Sequence, residues 1–455
     1  MSSAVCLESW FSGFRKNIIG IDQQIHTQRG PLKMVYADWT ASGRAYAPIE
    51  KHLYEHILPF WANTHSGGTA TGTEMTNAYE NAKGIIKKHV NASSEDAVLM
   101  CGSGMTAAVN KLQRMIGLRY VDPPAKESDR PVVFVTELEH HSNHISWLET
   151  IATVEIVKCG DDGNVDLGHL EQLLNEFKDR KKKIAAITAC SNVTGIETPY
   201  HEIAKMMHEA DGFCFVDFAS SAPYVSIDMH PRIPGTHLDA IYFSCHKFLG
   251  GPGTPGVLVF NKKLCLHKAP DHPGGGTVFY TNPWNGREYV NDIETREDGG
   301  TPPLLQTIKA GLCFELKEKM DPDKIRKREH ELVNLFLENL SGVEGLTILE
   351  HRARKRLGIL SFIIDDAHHD DIVQCLNDNY GIQSRGGCSC AGPYGHRLLN
   401  VGKERSFQIL NAIRSGNMRA KPGWVRISLH PTMTDEEVNF IIDAIREIVA
   451  HKFAC

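Results

Sequence analysis

No stretch of this 455-residue chain approaches the roughly 18 consecutive apolar residues of a membrane-spanning helix, so no membrane partnership is expected. The start, Met1–Arg15, has no apolar signal core. It carries Glu8 and few arginines, so a mitochondrial presequence fits less well than none. An excess of one charge is also missing. With 49 basic and 55 acidic side chains the formal charge is -6, which gives no general case for nucleic acid or an anionic lipid surface. The basic run Lys178-Asp-Arg-Lys-Lys-Lys183 is local and reads as a solvated helix end. Internal repeats and low-complexity tracts are absent. The twelve cysteines lack the rhythm of a disulfide scaffold. Cys101, Cys190, Cys214 and Cys245 lie in or beside apolar runs, where a reduced thiol behaves as a small hydrophobe. A reducing compartment follows, most simply the cytoplasm.

What is present is an ordinary globular composition, 42% apolar and 23% charged, over a length that allows two domains. Strand patterns over Ala97–Met100, Val132–Thr136, Val154–Val157, Ile184–Thr188 and Phe213–Asp217 alternate with helical ones over Met105–Ile116, Ser142–Thr150, Leu167–Phe177 and His201–Ala210. That alternation predicts an α/β fold with a mostly parallel, doubly wound sheet. After about Thr301 the rhythm changes to long helices and a few strands, closing on a capping box at Thr434-Asp-Glu-Glu437. The expected division is an N-terminal segment (1–33) packing on the small domain, a large domain (34–303) and a smaller α+β domain (304–455). Within the last, Arg397–Pro422 reads as a polar, irregular excursion.

The chemistry gathers at strand ends. In Ser244-Cys-His-Lys-Phe-Leu-Gly-Gly-Pro-Gly253, a lysine sits between two apolar strands in a loop rich in glycine and proline. Desolvation there lowers an amine's pKa and lets it condense with an aldehyde; taken alone, Lys247 reads as a surface lysine in a turn, and partner motifs elsewhere reverse that. Leu99-Met-Cys-Gly-Ser-Gly-Met-Thr106 is a strand–turn–helix whose Gly102 and Gly104 let backbone amides approach an anion, or simply a tight βα turn. Asp217 ends a strand at the edge where open sheets bind ligands; it suits a protonated ring nitrogen, or a helix cap. Glu139-His-His-Ser-Asn-His144 offers an imidazole for stacking or proton transfer, and a weaker metal pair in His140 and His144. Arg385-Gly-Gly-Cys-Ser-Cys-Ala-Gly-Pro393 holds a loop thiol near a cation, which favours thiolate; an inert thiol, or a metal set of Cys388, Cys390 and His396, competes. Arg426 interrupts an apolar strand, as a structural ion pair or a carboxylate clamp.

In this order the motifs resemble the class V aminotransferase family of pyridoxal-phosphate (PLP) enzymes, closest to its group II cysteine desulfurase/selenocysteine lyase branch. Glu139–Asn143, Ser191-Asn-Val-Thr-Gly195, Val216-Asp217, Ser244–Lys247, Gly274-Gly-Gly276, Gly300-Thr-Pro302, Arg385–Ala391 and Arg426-Ile-Ser428 carry it, from about Met34 to the last helix. The resemblance implies fold type I of PLP-dependent transferases. It implies that Lys247 forms the Schiff base, Asp217 meets the ring nitrogen and His140 stacks on the ring. Asn192 would sit near the cofactor hydroxyl or the substrate. Gly104, Thr106, Ser244 and His246 would hold the phosphate, with Ser220 and, from the second chain of a homodimer, Thr277 and Gly276 beside it. Arg426 would clamp the carboxylate of a small amino-acid substrate, most simply L-cysteine. Cys390 would take its sulfur as a persulfide for an acceptor protein. Transaminase, selenocysteine lyase, epimerase or kynureninase-like chemistry is the alternative. The sequence departs from the pattern at Ala219-Ser220, closer to molybdenum cofactor sulfurase, at Cys388-Ser389, where histidines are common, and at Met105.

Overall fold

The computed structural model describes residues 6–64, 68–124, 126–353 and 355–451. A seven-stranded sheet forms the larger half. Its strands are β1 (Asp96–Cys101), β2 (Val132–Thr136), β3 (Thr153–Val157), β4 (Lys183–Thr188), β5 (Phe213–Asp217), β6 (Ala240–Ser244) and β7 (Gly256–Asn261), in the order β1-β7-β6-β5-β4-β2-β3. All pairings are parallel except those of β7, which runs antiparallel to both β1 and β6. The apolar runs follow from burial on both faces. In β2, Val132 and Phe134 enter one core while Val133 and Val135 enter the other. Ala185 and Ile187 of β4 likewise face away from Ile184 and Ala186. A strand with period-two side chains and helices on both sides has no polar face to show.

The helices that cover the sheet and carry the site are α1 (Ala70–His89), α2 (Gly104–Met115), α3 (His141–Leu148) and α4 (Tyr200–Glu209). Helix α1 starts earlier than its apolar pattern predicts. Thr69 caps it, with its hydroxyl accepting the Gly72 N–H at 3.2 Å. The small and polar residues of Asn63–Thr73 read in sequence as a loop, of which residues 65–67 lie outside the described residues. Beyond α5 (Leu304–Met320) and α6 (Pro322–Leu340) comes a four-stranded antiparallel sheet of β8 (Leu346–Ile348), β9 (Ile359–Ile364), β10 (Arg385–Gly387) and β11 (Trp424–Ser428), ordered β8-β9-β11-β10. Helix α7 (His369–Tyr380) packs on it, and the last helix, Asp435–Ala450, opens with the expected capping box of Thr434 and Glu437.

The first thirty residues read in sequence as helix and connector, but Gln24–Thr27 and Gly30–Lys33 form a hairpin. Nor is Arg397–Pro422 irregular. It holds the end of helix α8 (Gly392–Leu398), helix α9 (Lys403–Arg414) and a short 3₁₀ turn at Met418–Ala420. Helix α9 fully buries none of its residues, although Phe407, Ile409, Leu410 and Ile413 recur at helical spacing; Phe407 and Leu410 stay exposed. The early chain is also stitched to the later sheet. Val35–Tyr36 pairs in parallel with Ile382–Gln383, and the Ser428 N–H donates to the Ala37 carbonyl at 2.7 Å. That stitching carries Asp38 to the mouth of the larger half.

Candidate active site

A cavity of about 250 Å³ opens where β4, β5 and β6 end and where β10 and β11 lean over them. Thr188 ends β4, Asp217 ends β5 and Ser244 ends β6, so the parallel strands deliver their last side chains to one place. Lys247, His140, Asn192, Thr106, His246, Ser220, Arg426 and Cys390 line the same space. Gly104 lies directly behind it: a Cβ there would come within 2.8 Å of the Ser244 Oγ. The residue also sits at φ +64°, in the left-handed region, so two constraints demand glycine. On its other side, a Cβ on Gly256 would fall 2.0 Å from the Gly104 carbonyl oxygen. The turn is therefore pressed against β7. The Met105 N–H donates to Ser244 Oγ at 2.8 Å, and the Thr106 and Ser142 hydroxyls share a hydrogen bond of 2.7 Å.

Burial sets the protonation states. The Asp217 carboxyl is pushed up to about 6 by desolvation, with the Ala219 N–H (2.7 Å to Oδ1) and Lys247 pulling the other way. Lys247 is brought down to about 8, mainly by desolvation, opposed by Asp217. His140 falls to about 3, through desolvation and then the charge of Lys247. Its Nδ1 accepts the Ser142 N–H at 3.1 Å, so the neutral ring carries its proton on Nε2. Beneath it Glu139 is fully buried, accepting from Thr136 Oγ1 (2.7 Å), Asn143 Nδ2 (2.7 Å) and the Thr188 N–H (2.8 Å), and burial still raises it to about 7.

Sequence reasoning passes over Asp38, and the structure makes it central. Its Oδ1 accepts from Arg426 Nη2 at 2.7 Å and its Oδ2 from Arg385 at 3.0 Å. Arg426 also donates to the Asn192 carbonyl at 3.0 Å, while its Nε and the Asn192 Oδ1 are buried without a hydrogen-bond partner. The signal was available, since Asp38 ends a short strand-like run just as Asp217 does. Its partners lie some 350 positions away, beyond any local pattern. Thr40, Ser142, Thr188 and Ser389 line the cavity as well.

The Cys390 loop is pinned from below. The His141 N–H donates to the Cys390 carbonyl (2.7 Å), His141 Nε2 accepts the Gly392 N–H (2.8 Å), and Asn192 Nδ2 donates to the Ser389 carbonyl (2.7 Å). The motif at Glu139–His144 thus yields two roles, His140 toward the cavity and His141 toward the loop. Ser389 and Cys390 take φ values of +50° and +57°, a conformation non-glycine residues adopt rarely and at functional sites. The result is an exposed Cys390 thiol at the cavity's edge.

The metal readings fail here. Among the described residues His140 and His144 join no group close enough to share an ion, nor do Cys388, Cys390 and His396. His396 spends both ring nitrogens on the Gly392 carbonyl and Ser406 Oγ, each at 2.8 Å. Thr277 does not line this chain's cavity; its hydroxyl donates to the Gly274 carbonyl at 2.7 Å.

The donor set suits a flat aldehyde bearing a phosphate and a basic ring nitrogen. A desolvated acid at Asp217 asks for a cationic partner, the Gly104–Thr106 turn with Ser244 and His246 offers anion donors, and Lys247 stands between with a lowered pKa. Comparisons with known proteins follow the same line. The aminotransferase class-V family model matches residues 35–441. A "probable cysteine desulfurase" of Halalkalibacterium halodurans is 32% identical over 382 residues, covering 82% of this chain and 87% of the relative. One from Staphylococcus aureus is 29% identical over 397 residues, covering 86% and 90%. The apo structure of cysteine desulfurase from Thermococcus onnurineus superposes with a TM-score of 0.78 at 23% identity, over 96% of this chain and 98% of that one. The S-sulfonic acid form of the Escherichia coli cysteine desulfurase CsdA gives 0.76 at 21%, over 97% and 98%. These two likenesses concern the fold.

Proposed function

The chain belongs to the aminotransferase class-V family, and on that premise we propose that it is a PLP-dependent cysteine desulfurase, converting L-cysteine to alanine and a persulfide on Cys390. One observation carries the reading. A lysine of lowered pKa, a buried acid, a buried arginine and an exposed loop thiol, from four separate parts of the chain, line a single cavity.

PLP, when bound, supplies an electron-withdrawing ring that makes the bonds at the substrate's α-carbon labile. Asp217 would hold its ring nitrogen, and Gly104, Thr106, Ser244, His246 and Ser220 its phosphate end. His140, neutral and with its proton on Nε2, would pack on the ring without adding charge. The chain's own residues do the rest. Arg426, aimed by Asp38 and the Asn192 carbonyl, binds the substrate carboxylate. The Lys247 amine, partly neutral at ordinary pH, takes the α-proton and returns protons to the product. Cys390 attacks the substrate sulfur as thiolate. The carbon–sulfur bond breaks, the sulfur stays on Cys390, and cysteine plus a thiol becomes alanine plus a persulfide, with no outside oxidant needed.

An exposed Cys390 suits hand-over to a sulfur-acceptor protein. A homodimer accounts for Thr277, which has no role in its own chain's cavity, and for the exposed Phe279, Tyr280 and Trp284 that follow it. A cytoplasmic setting and the domain division at 33 and 303 belong to the same reading. Among the described residues no helix is long and apolar enough to cross a membrane.

The test is mass spectrometry of the Cys388–Cys390 peptide after incubation with L-cysteine, beside alanine release. One added sulfur on Cys390, and its loss with alanine release in Cys390→Ser, is expected. Alanine release unchanged in Cys390→Ser would sink the assignment.

A further inference from the structure

The thiol loop leads into a face that the reaction leaves idle. Helix α8 begins at Gly392, two residues past Cys390, and His396 lies one turn on, roughly 6 Å along the axis. Helix α9 is clipped to it there, by a 2.8 Å hydrogen bond between His396 Nε2 and Ser406 Oγ. Ser406, Ile409, Ala412 and Ile413 turn toward the rest of the chain and are half-buried. The opposite side is bare. Lys403, Phe407, Leu410 and Arg414 recur at i, i+4, i+7 and i+11, which places them in one stripe along the helix, and all four are exposed. Phe407 is 56% exposed and Leu410 40%, and Met418, in the turn that follows, 62%.

Charge marks the same face. Between Gly392 and Lys421 six basic residues stand against one acid, Glu404, in a chain whose formal charge is -6. Arg397 is spent on Glu137 and Glu350, and Arg419 on Asp371. Lys403, Arg405, Arg414 and Lys421 form no ion pair with any described residue. Lys421 ties the face to the thiol loop: burial and then the charge of Lys421 lower the His141 imidazole, whose Nε2 accepts the Gly392 N–H. An apolar centre framed by cations, on a helix whose other side is committed to the chain, has the anatomy of a docking face. A second copy of this chain meeting it face to face would set cation against cation, so an isologous contact is disfavoured.

We propose that the exposed stripe of helix α9 is the docking face for the protein that takes sulfur from Cys390, and that this acceptor presents an acidic surface with an apolar centre beside its own thiol. The inference rests on the reading of Cys390 as the sulfur carrier. A stable contact covers about 800 Å² on each partner, a patch roughly 30 Å across, so a protein seated on α9 also reaches the thiol loop. There the partner's thiolate attacks the outer sulfur of the Cys390 persulfide. The sulfur–sulfur bond breaks, Cys390 leaves as thiolate and the partner keeps the persulfide, with no outside oxidant or reductant. The cations speed the encounter, and Phe407 and Leu410 hold it.

The test uses the full-length protein with its cofactor retained and two labelled helical peptides of about 20 residues, each with a leucine stripe, flanked by glutamates in one and by lysines in the other. A serine stands in place of the acceptor thiol, so fluorescence anisotropy reads binding without sulfur chemistry. The glutamate peptide should bind at least about tenfold more tightly at low salt, and the gap should close at high salt. Lys403→Glu with Arg414→Glu abolishes the preference, while Phe407→Ser with Leu410→Ser weakens binding about tenfold and keeps its salt dependence. In both double variants the cofactor's absorbance and alanine release stay at wild-type levels. With cysteine restored in place of the serine, the glutamate peptide draws sulfur from Cys390 faster by the same factor. Equal affinity for the two peptides, binding indifferent to both double variants, or tighter binding to phosphatidylserine vesicles overturns the docking face. A Cys390 that gains no sulfur from L-cysteine removes the acceptor as occupant whatever the anisotropy shows, so the two failures are told apart.

Discussion

Lys247 and Cys390 line one cavity but are built in opposite ways. Lys247 follows a strand of the larger sheet, among groups whose pKa values burial has moved, and Asp217 beside it is nearly inaccessible. Cys390 is exposed, on a loop in left-handed backbone conformation that three hydrogen bonds hold down. The contrast separates two demands. Activating an amine needs desolvation, which a sheet edge beneath the smaller sheet supplies. Passing an atom to another protein needs reach, which only a surface loop supplies.

The sharpest way to break this contrast is Lys247→Ala. It removes the amine yet leaves the thiol in place, so the cofactor's visible absorbance and alanine release are both lost, the latter by about 10²–10⁴-fold or more. If the rate survives, the buried half is not where the reaction starts. Asp38→Asn comes next. It keeps the shape and removes the charge that orients Arg426, so KM for cysteine rises by about tenfold while kcat falls less, the signature of a binding contact. An unchanged KM would show that Arg426 needs no partner to hold its aim.

A third experiment asks what burial alone costs. The Glu329 carboxyl is fully buried and raised to about 8 by desolvation, against the Gly358 N–H and Arg326. The folded state therefore binds that proton more tightly than the unfolded chain, and its stabilisation, complete below about pH 4.5, fades as pH rises through about 8. Melting temperature should fall between about pH 5 and 8.5 in the wild type and fall less in Glu329→Gln. Parallel profiles would show that the carboxyl titrates normally. The smallest effects belong to the loop. Ser389→Gly, which tolerates φ +50°, stays within about 0.5 kcal/mol of the wild type. Ser389→Val places a β-branched residue in that conformation and lowers sulfur release several-fold with cofactor absorbance intact. Equal rates in the two would show that loop conformation does not matter.

Much of the site is legible in the sequence because its residues announce themselves locally. Asp217, Ser244 and Lys247 sit at the ends of apolar runs, and Gly104 follows a strand and opens a helix, so strand periodicity and turn composition mark them. Asp38 and His141 are different. What makes them matter is the hydrogen bonding of Asp38 to Arg385 and Arg426, and of His141 to Cys390 and Gly392. Helix α9 escapes for another reason: its few apolar residues, Phe407, Ile409, Leu410 and Ile413, are spread among polar ones, and none is buried.

The order of the motifs and the doubly covered parallel sheet were thus decided by the sequence itself, since backbone sterics and period-two burial act over a few neighbouring residues. Which carboxylate steers Arg426 and how the thiol loop is tethered were settled only when distant segments packed. Those contacts join groups that share no local pattern, and desolvation, which moves the key protons, exists only in the assembled fold.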